Sequence, residues 1–243
     1  MSKTPKDPKD IFQELKEDYK DCFGDELVSI ILYGSAAGTD YRPGKSDINV
    51  MIVLTDAGIE NLDQALKVVS KWQKRRVAIP LFLTEAYIET STDVFPIEYL
   101  NFQGNHVLVY GKDVLNGLSF NPENVRLQCE REIKGKLLLL REAFMETSGR
   151  GRPLKDVISH SIGAFMAIFR AMLFLKEEAP PKENRDLIRT AGEAYGLETR
   201  VFERLLDIKE QRTKINEAEL RRLYKDYLST VRHLSRMVDE MGG

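Results

Sequence analysis

The 243-residue chain is 42% hydrophobic and 30% charged, a balance that supports a sizeable core in one or two domains with a solvated surface. Its 36 basic residues nearly cancel 38 acidic ones, so no overall field draws nucleic acid or an anionic membrane surface, and any polyanion site has to be local. Cys22 and Cys129 stand far apart with no CxxC or Cys/His cluster, which argues against a disulfide framework or structural zinc and fits a reduced, cytoplasmic protein.

The opening MSKTPKDPKD carries charge and proline without an apolar run, so it is not read as a secretory signal and is expected to fray. Over residues 8–22, Ile11, Phe12, Leu15 and Tyr19 recur at helical steps and predict an amphipathic helix. LVSIILY, residues 27–33, and INVMIVL, residues 48–54, are short apolar runs rich in β-branched side chains and predict two buried strands. Between them GSAAGTDYRPGKSD has the composition of a loop. Residues 61–74 predict a helix through Leu62, Ala65, Leu66, Val69 and Trp72, and residues 77–83 a third strand. Residues 97–102 and 106–110 are expected to pair as a hairpin around Gln103-Gly104-Asn105.

After Pro122 the texture changes to Leu, Glu, Arg and Lys with a helical period, interrupted at 149–153, 179–181 and near Gly196. Helices over 123–147, 154–177, 183–195, 199–208 and 216–240 are expected to bundle. Phe165, Met166, Phe169, Met172 and Phe174 belong to the core of that bundle rather than to a cofactor site. The apolar stretch 164–175 is interrupted by Arg170 and falls short of a membrane span, so no membrane partner is expected. The fold class is therefore α/β (α+β), a mixed-sheet domain over residues 1–118 followed by an all-α helical bundle domain over 119–243, with no internal repeat.

The chemistry concentrates in Leu32-Tyr33-Gly34-Ser35 and, after the polar loop, Ser46-Asp47-Ile48-Asn49-Val50. Gly34 at a strand end lets the backbone turn and approach a ligand, and Ser35 offers a hydroxyl and an N–H to phosphate oxygens. Asp47 and Asn49 are two apart on a strand, so both side chains emerge on one face, which is how a metal site begins.

This arrangement resembles the nucleotidyltransferase superfamily, whose signature is a Gly-Ser pair followed some ten residues later by Asp-x-Asp on the next strand. The likeness covers residues 11–111, and it implies that Gly34, Ser35 and Ser46 hold nucleotide phosphates while Asp47 binds magnesium. The helical tail looks like the bundles that follow this domain in aminoglycoside nucleotidyltransferases. The implied activity is Mg2+-dependent transfer of a nucleoside monophosphate from a nucleoside triphosphate to a hydroxyl acceptor whose identity the sequence leaves open. Partnership with nucleic acid is not expected, and a homodimer is compatible with the pattern.

The chain departs from that signature at two places. Asn49 stands where the second acid belongs, and a strand over 77–83 brings only Ala78, Pro80 and Phe82 or their neighbours beside Asp47, none a carboxylate. Were 97–102 the neighbouring strand instead, Glu98 would supply the acid. An amide ligand forgoes roughly 4 kcal/mol per unit charge pair near 4 Å at an effective dielectric of about 20, and about twice that for a dication before desolvation is subtracted. The alternative is a catalytically silent nucleotide-binding or partner-binding protein of the same fold.

Other features take ordinary readings. Arg42 and Lys45 are exposed loop cations, and Lys74-Arg75-Arg76 is a basic run at a helix C-terminus that the macrodipole explains. His106, His160 and His233 are scattered and build no Ser/His/Asp arrangement. The bundle loosely resembles ribonucleases of the HEPN type, but Arg152 and His160 lack their spacing.

Overall fold

The computed structural model describes residues 4–38 and 41–241. Thr39 and Asp40 of the polar loop, and the extreme ends of the chain, lie outside the described residues. The chain divides into two compact units, one of residues 1–92 with 99–119 and one of residues 93–98 with 120–243.

The first unit is built on a four-stranded sheet of order β3-β2-β1-β4. Its strands are β1 (Leu27–Tyr33), β2 (Asn49–Leu54), β3 (Leu81–Leu83) and β4 (His106–Gly111). β1 runs antiparallel to both β2 and β4, and β2 runs parallel to β3, so the sheet is mixed. Helix α1 (Phe12–Phe23) follows a 3-10 turn at Pro8–Ile11 that Asp7 caps through Lys9 N–H. Leu15, Tyr19 and Phe23 form its inward stripe at steps of four, and with Ile11 they meet Ile30 and Leu32 of β1, Val50, Ile52 and Leu54 of β2, and Trp72. Each such side chain, fully buried, contributes about 1.5–3 kcal/mol of apolar transfer. The expected fraying of the opening segment does not extend to Pro5 and Pro8, which are buried, and Tyr41 Oη donates to Pro5 O at 2.9 Å.

Short helices α2 (Asp56–Glu60) and α3 (Leu66–Gln73) connect β2 to β3. The expected strand over 77–83 shortens, because Pro80 has no N–H to donate and Ile79 is exposed. Only Val77 bridges to Ile48 before β3 begins at Leu81. Helix α4 (Glu85–Thr90), capped by Thr84, follows.

The expected hairpin over 97–110 is overturned in its first half. Residues Pro96–Gly104 form helix α5, and only His106–Gly111 is a strand. Pro96 takes the first helical position, where its missing N–H costs nothing. The orphan N–H of Ile97 is satisfied by Gln128 Oε1 at 2.7 Å, a partner remote in sequence. Gln103-Gly104-Asn105 is thus the end of a helix, and Gln103 Nε2 donates to Leu115 O and Leu118 O.

The second unit carries α6 (Pro122–Glu146), α7 (Gly151–Leu175), α8 (Asn184–Tyr195), α9 (Arg200–Lys209) and α10 (Glu217–Glu240), close to the spans expected. Asn121 and Asn216 cap α6 and α10, and Gly196 in the left-handed region ends α8. Phe165 and Phe169 of α7, Phe202 of α9 and Tyr224 and Tyr227 of α10 form one aromatic cluster of tilted and edge-to-face contacts. Helix α7 extends beyond the apolar stretch read from the sequence. Its length and composition would suffice to cross a membrane, yet half of its most apolar window is packed inside this unit.

Ion pairs tie α6 to α10. Lys134 Nζ lies 2.5 Å from Glu130 and 3.0 Å from Asp239, and Arg126 adds a contact to Glu130 at 2.9 Å. Lys134 above all, with Arg126, holds the Glu130 carboxyl down to about 2. A carboxyl depressed in the fold contributes stability above its unfolded value of about 4.3 and loses it as pH falls through the folded value. The melting temperature is expected to fall from about pH 5 downward, and Glu130→Gln, followed by circular dichroism, to lose part of that dependence. Identical pH profiles for the two proteins would show that the network carries none of it.

Candidate functional site

The candidate site forms where β1 ends and β2 begins. Tyr33, Asn49 and His106 are register partners across three strands. Directly after Tyr33, a 3-10 turn spans Gly34–Ala37. Gly34 has φ +73°, and a Cβ there would lie 3.2 Å from Asn49 Nδ2. Glycine therefore serves both the left-handed backbone and the close approach of the turn to Asn49. From the end of α5, Asn105 Nδ2 donates to Gly34 O at 3.0 Å, fixing the turn from its other side. Tyr33 packs its ring on Phe102 at 4.7 Å. Ser35 is half-buried within the turn.

Ile48 is fully buried in the core on the α1 side, so strand alternation turns Asn49 towards the opposite face, and Asp47 stands just ahead of them in the chain. The loop before them closes on itself. Ser46 N donates to Arg42 O at 2.9 Å, and Ser46 Oγ accepts from Arg42 N at 3.1 Å, which leaves the Ser46 O–H free to donate to a ligand. The structure thus brings Gly34 against Asn49, with Ser35 next to Gly34 and Asp47 two residues from Asn49. Glu98 does not join them as a strand residue: it lies on α5, accepts from Gln128 Nε2 at 2.6 Å, and groups with the helical unit. The strands flanking β2 are β1 and β3.

Arg76 is the residue that sequence reasoning passed over. Helix α3 ends in a Schellman turn, with Val77 N bonded to Trp72 O at 3.2 Å and Arg76 N to Gln73 O at 3.1 Å. Arg76 occupies the left-handed position of that turn at φ 65°, where glycine is the usual residue and another side chain costs about 1–2 kcal/mol. Its Nη2 lies 3.3 Å from Asp47 Oδ1 and donates to Lys45 O at 3.3 Å, while Nε is buried without a partner. The ion pair is solvent-facing, with Asp47 62% and Arg76 41% exposed, so it contributes at most about 1 kcal/mol. Burial pushes the Tyr41 phenol up, and the neighbouring Arg76 charge partly opposes that. The basic run therefore has separate tasks: Arg75 stacks over Trp72 at 4.5 Å and pairs with Glu14, while Arg76 reaches Asp47. The helix dipole alone does not account for it.

The donor set does not suit a protein-held pair of dications. None of the four strands carries a carboxylate, and Asp47, just ahead of β2, faces a guanidinium. No group of three or more His, Cys, Asp or Glu side chains arranged to hold a metal occurs among the described residues.

A mixed sheet bearing a glycine-serine turn and joined to a helical C-terminal region is the nucleotidyltransferase-like fold. Among solved structures the chain is similar to a spectinomycin adenyltransferase, AAD(9), from Enterococcus faecialis, solved with ATP and spectinomycin. That likeness has a TM-score of 0.51 at 12% identity and covers 93% of this chain and 99% of that one. It is a likeness of fold. No protein-family model matches the sequence, and no match was found among curated proteins.

Proposed function

We propose that the sheet unit binds a nucleoside triphosphate, with the phosphates against the Gly34–Ser35 turn and the Ser46–Asp47 segment. The observation that carries this is the approach of Gly34 to Asn49, which sets the turn beside the start of β2, two residues after Asp47. A carboxylate-free sheet argues that binding does not extend to two-metal chemistry, in which acids hold two dications that clamp the attacking and leaving oxygens.

The test is titration calorimetry with ATP and GTP on the wild type and Ser35→Ala. Saturable binding is expected, weakened about tenfold or more in the variant, as for loss of a hydrogen bond to a charged group. Equal affinity in the two proteins, or none in either, rejects the reading.

A second reading, nucleotidyl transfer, is favoured by the fold likeness to an adenyltransferase solved with ATP and spectinomycin. In it a hydroxyl of the acceptor attacks the α-phosphorus, pyrophosphate departs, and the hydroxyl proton passes to a base. Asp47, released from Arg76, would share one magnesium with the phosphates, since this ion often takes only one or two carboxylates. Asn49 is a neutral companion ligand at most, and Glu98 has no place as a strand-borne acid. Labelled nucleoside triphosphate, magnesium and a panel of hydroxyl acceptors including spectinomycin decide between the readings: labelled acceptor establishes transfer, and binding without it leaves the first.

A further inference from the structure

We propose that Arg76 is the cation of the phosphate site, standing where a two-acid site would seat a dication, so that nucleotide binding does not depend on magnesium. The inference rests on the nucleotide-binding reading above and goes further by naming what neutralises the phosphates.

Two observations carry it. The first is charge. Two carboxylates facing a triphosphate repel it unless dications intervene, whereas Asp47 with Arg76 beside it sums to zero and Asn49 adds nothing. A nucleotide can approach that pair without a metal. The second is unused hydrogen-bonding capacity. The Arg76 side chain is 41% exposed, and Nη2 serves Lys45 O and Asp47 while Nη1 has no hydrogen-bond partner among the described residues; Nε is buried out of a ligand's reach. A guanidinium is the side chain best matched to phosphate oxygens, which it grips through paired N–H groups. Asp47 is then a positioning residue: it holds the guanidinium at the start of β2 until phosphate oxygens compete for it.

The alternative is that Arg76 merely ends α3. It predicts unchanged ATP binding in Arg76→Gly, which relieves the positive φ and removes the charge in one step.

The experiment is titration of ATP into the full chain, with magnesium and separately with EDTA, for wild type, Arg76→Gln and Arg76→Gly, each with a thermal melt. Wild type is expected to bind in EDTA with an affinity within about threefold of that in magnesium. Both Arg76 variants should bind about tenfold or more weakly in EDTA, as when a charge-assisted contact is lost. Arg76→Gly, which relieves the positive φ, should melt no lower than wild type, so that weaker binding in it cannot come from lost stability. Binding that requires magnesium and is indifferent to Arg76 overturns the inference and leaves the nucleotide-binding reading standing. Weaker binding accompanied by a lower melting temperature in both Arg76 variants assigns the residue to structure and also overturns it. No binding by any protein under either condition overturns the reading and this inference together.

Discussion

Phe202→Ala is expected to destabilise the helical unit by about 3–5 kcal/mol, the usual cost of truncating a fully buried aromatic. Phe202 is 1% exposed, and its ring lies 4.9 Å from Phe169, 5.5 Å from Phe165 and 5.9 Å from Tyr227. It is therefore the one ring of α9 that touches both α7 and α10. Alanine leaves a cavity walled by three other aromatics, whose tilted and edge-to-face contacts with Phe202 it also removes. Those rings sit on two long helices held by many other contacts, so the site collapses poorly and the cost stays near the upper end of that range. Chemical denaturation monitored by circular dichroism gives the value. A loss under about 1 kcal/mol would show that the three helices do not share one core.

Gly111→Ala is expected to cost about 3 kcal/mol or more, through strain and overpacking together. Gly111 closes β4 at φ +79°, paired with Ser29 of β1. A Cβ there would lie 2.0 Å from Val28 O, a backbone atom that cannot swing aside as a side-chain tip would. Relief requires β4 to move off β1. The same strand pair aligns His106 with Tyr33, next to the glycine-serine turn, so the variant is also expected to weaken nucleotide binding. An unchanged melting temperature would contradict this account of the sheet edge.

Much of the architecture is legible in the residues, and the failures have particular causes. LVSIILY and NVMIVL announce themselves as strands because both faces are buried, which leaves continuous apolar runs. The five helices of the second unit show because Asn121, Asn216 and Gly196 mark ends and the apolar stripes are long. Residues 96–104 mislead because the side chain that satisfies the start of α5 is Gln128, far along the chain, and because Gly104-Asn105 suits a hairpin as well as a helix end. The strand over 77–83 shortens at Pro80, a break visible in the sequence.

At the candidate site, Gly34, Ser35 and the Asp47-x-Asn49 spacing are readable from local chemistry alone. Asn105 and Arg76 are not, since each acts across a long sequence separation, on Gly34 and on Asp47 respectively.

A crystal structure with a non-hydrolysable ATP analogue, grown in EDTA, puts this account at greatest risk. It should show phosphate oxygens on the Ser35 hydroxyl and the Arg76 guanidinium, with Asp47 no longer paired to that arginine. Phosphates lodged anywhere else on the sheet unit, or an Arg76–Asp47 pair undisturbed by bound nucleotide, would contradict it.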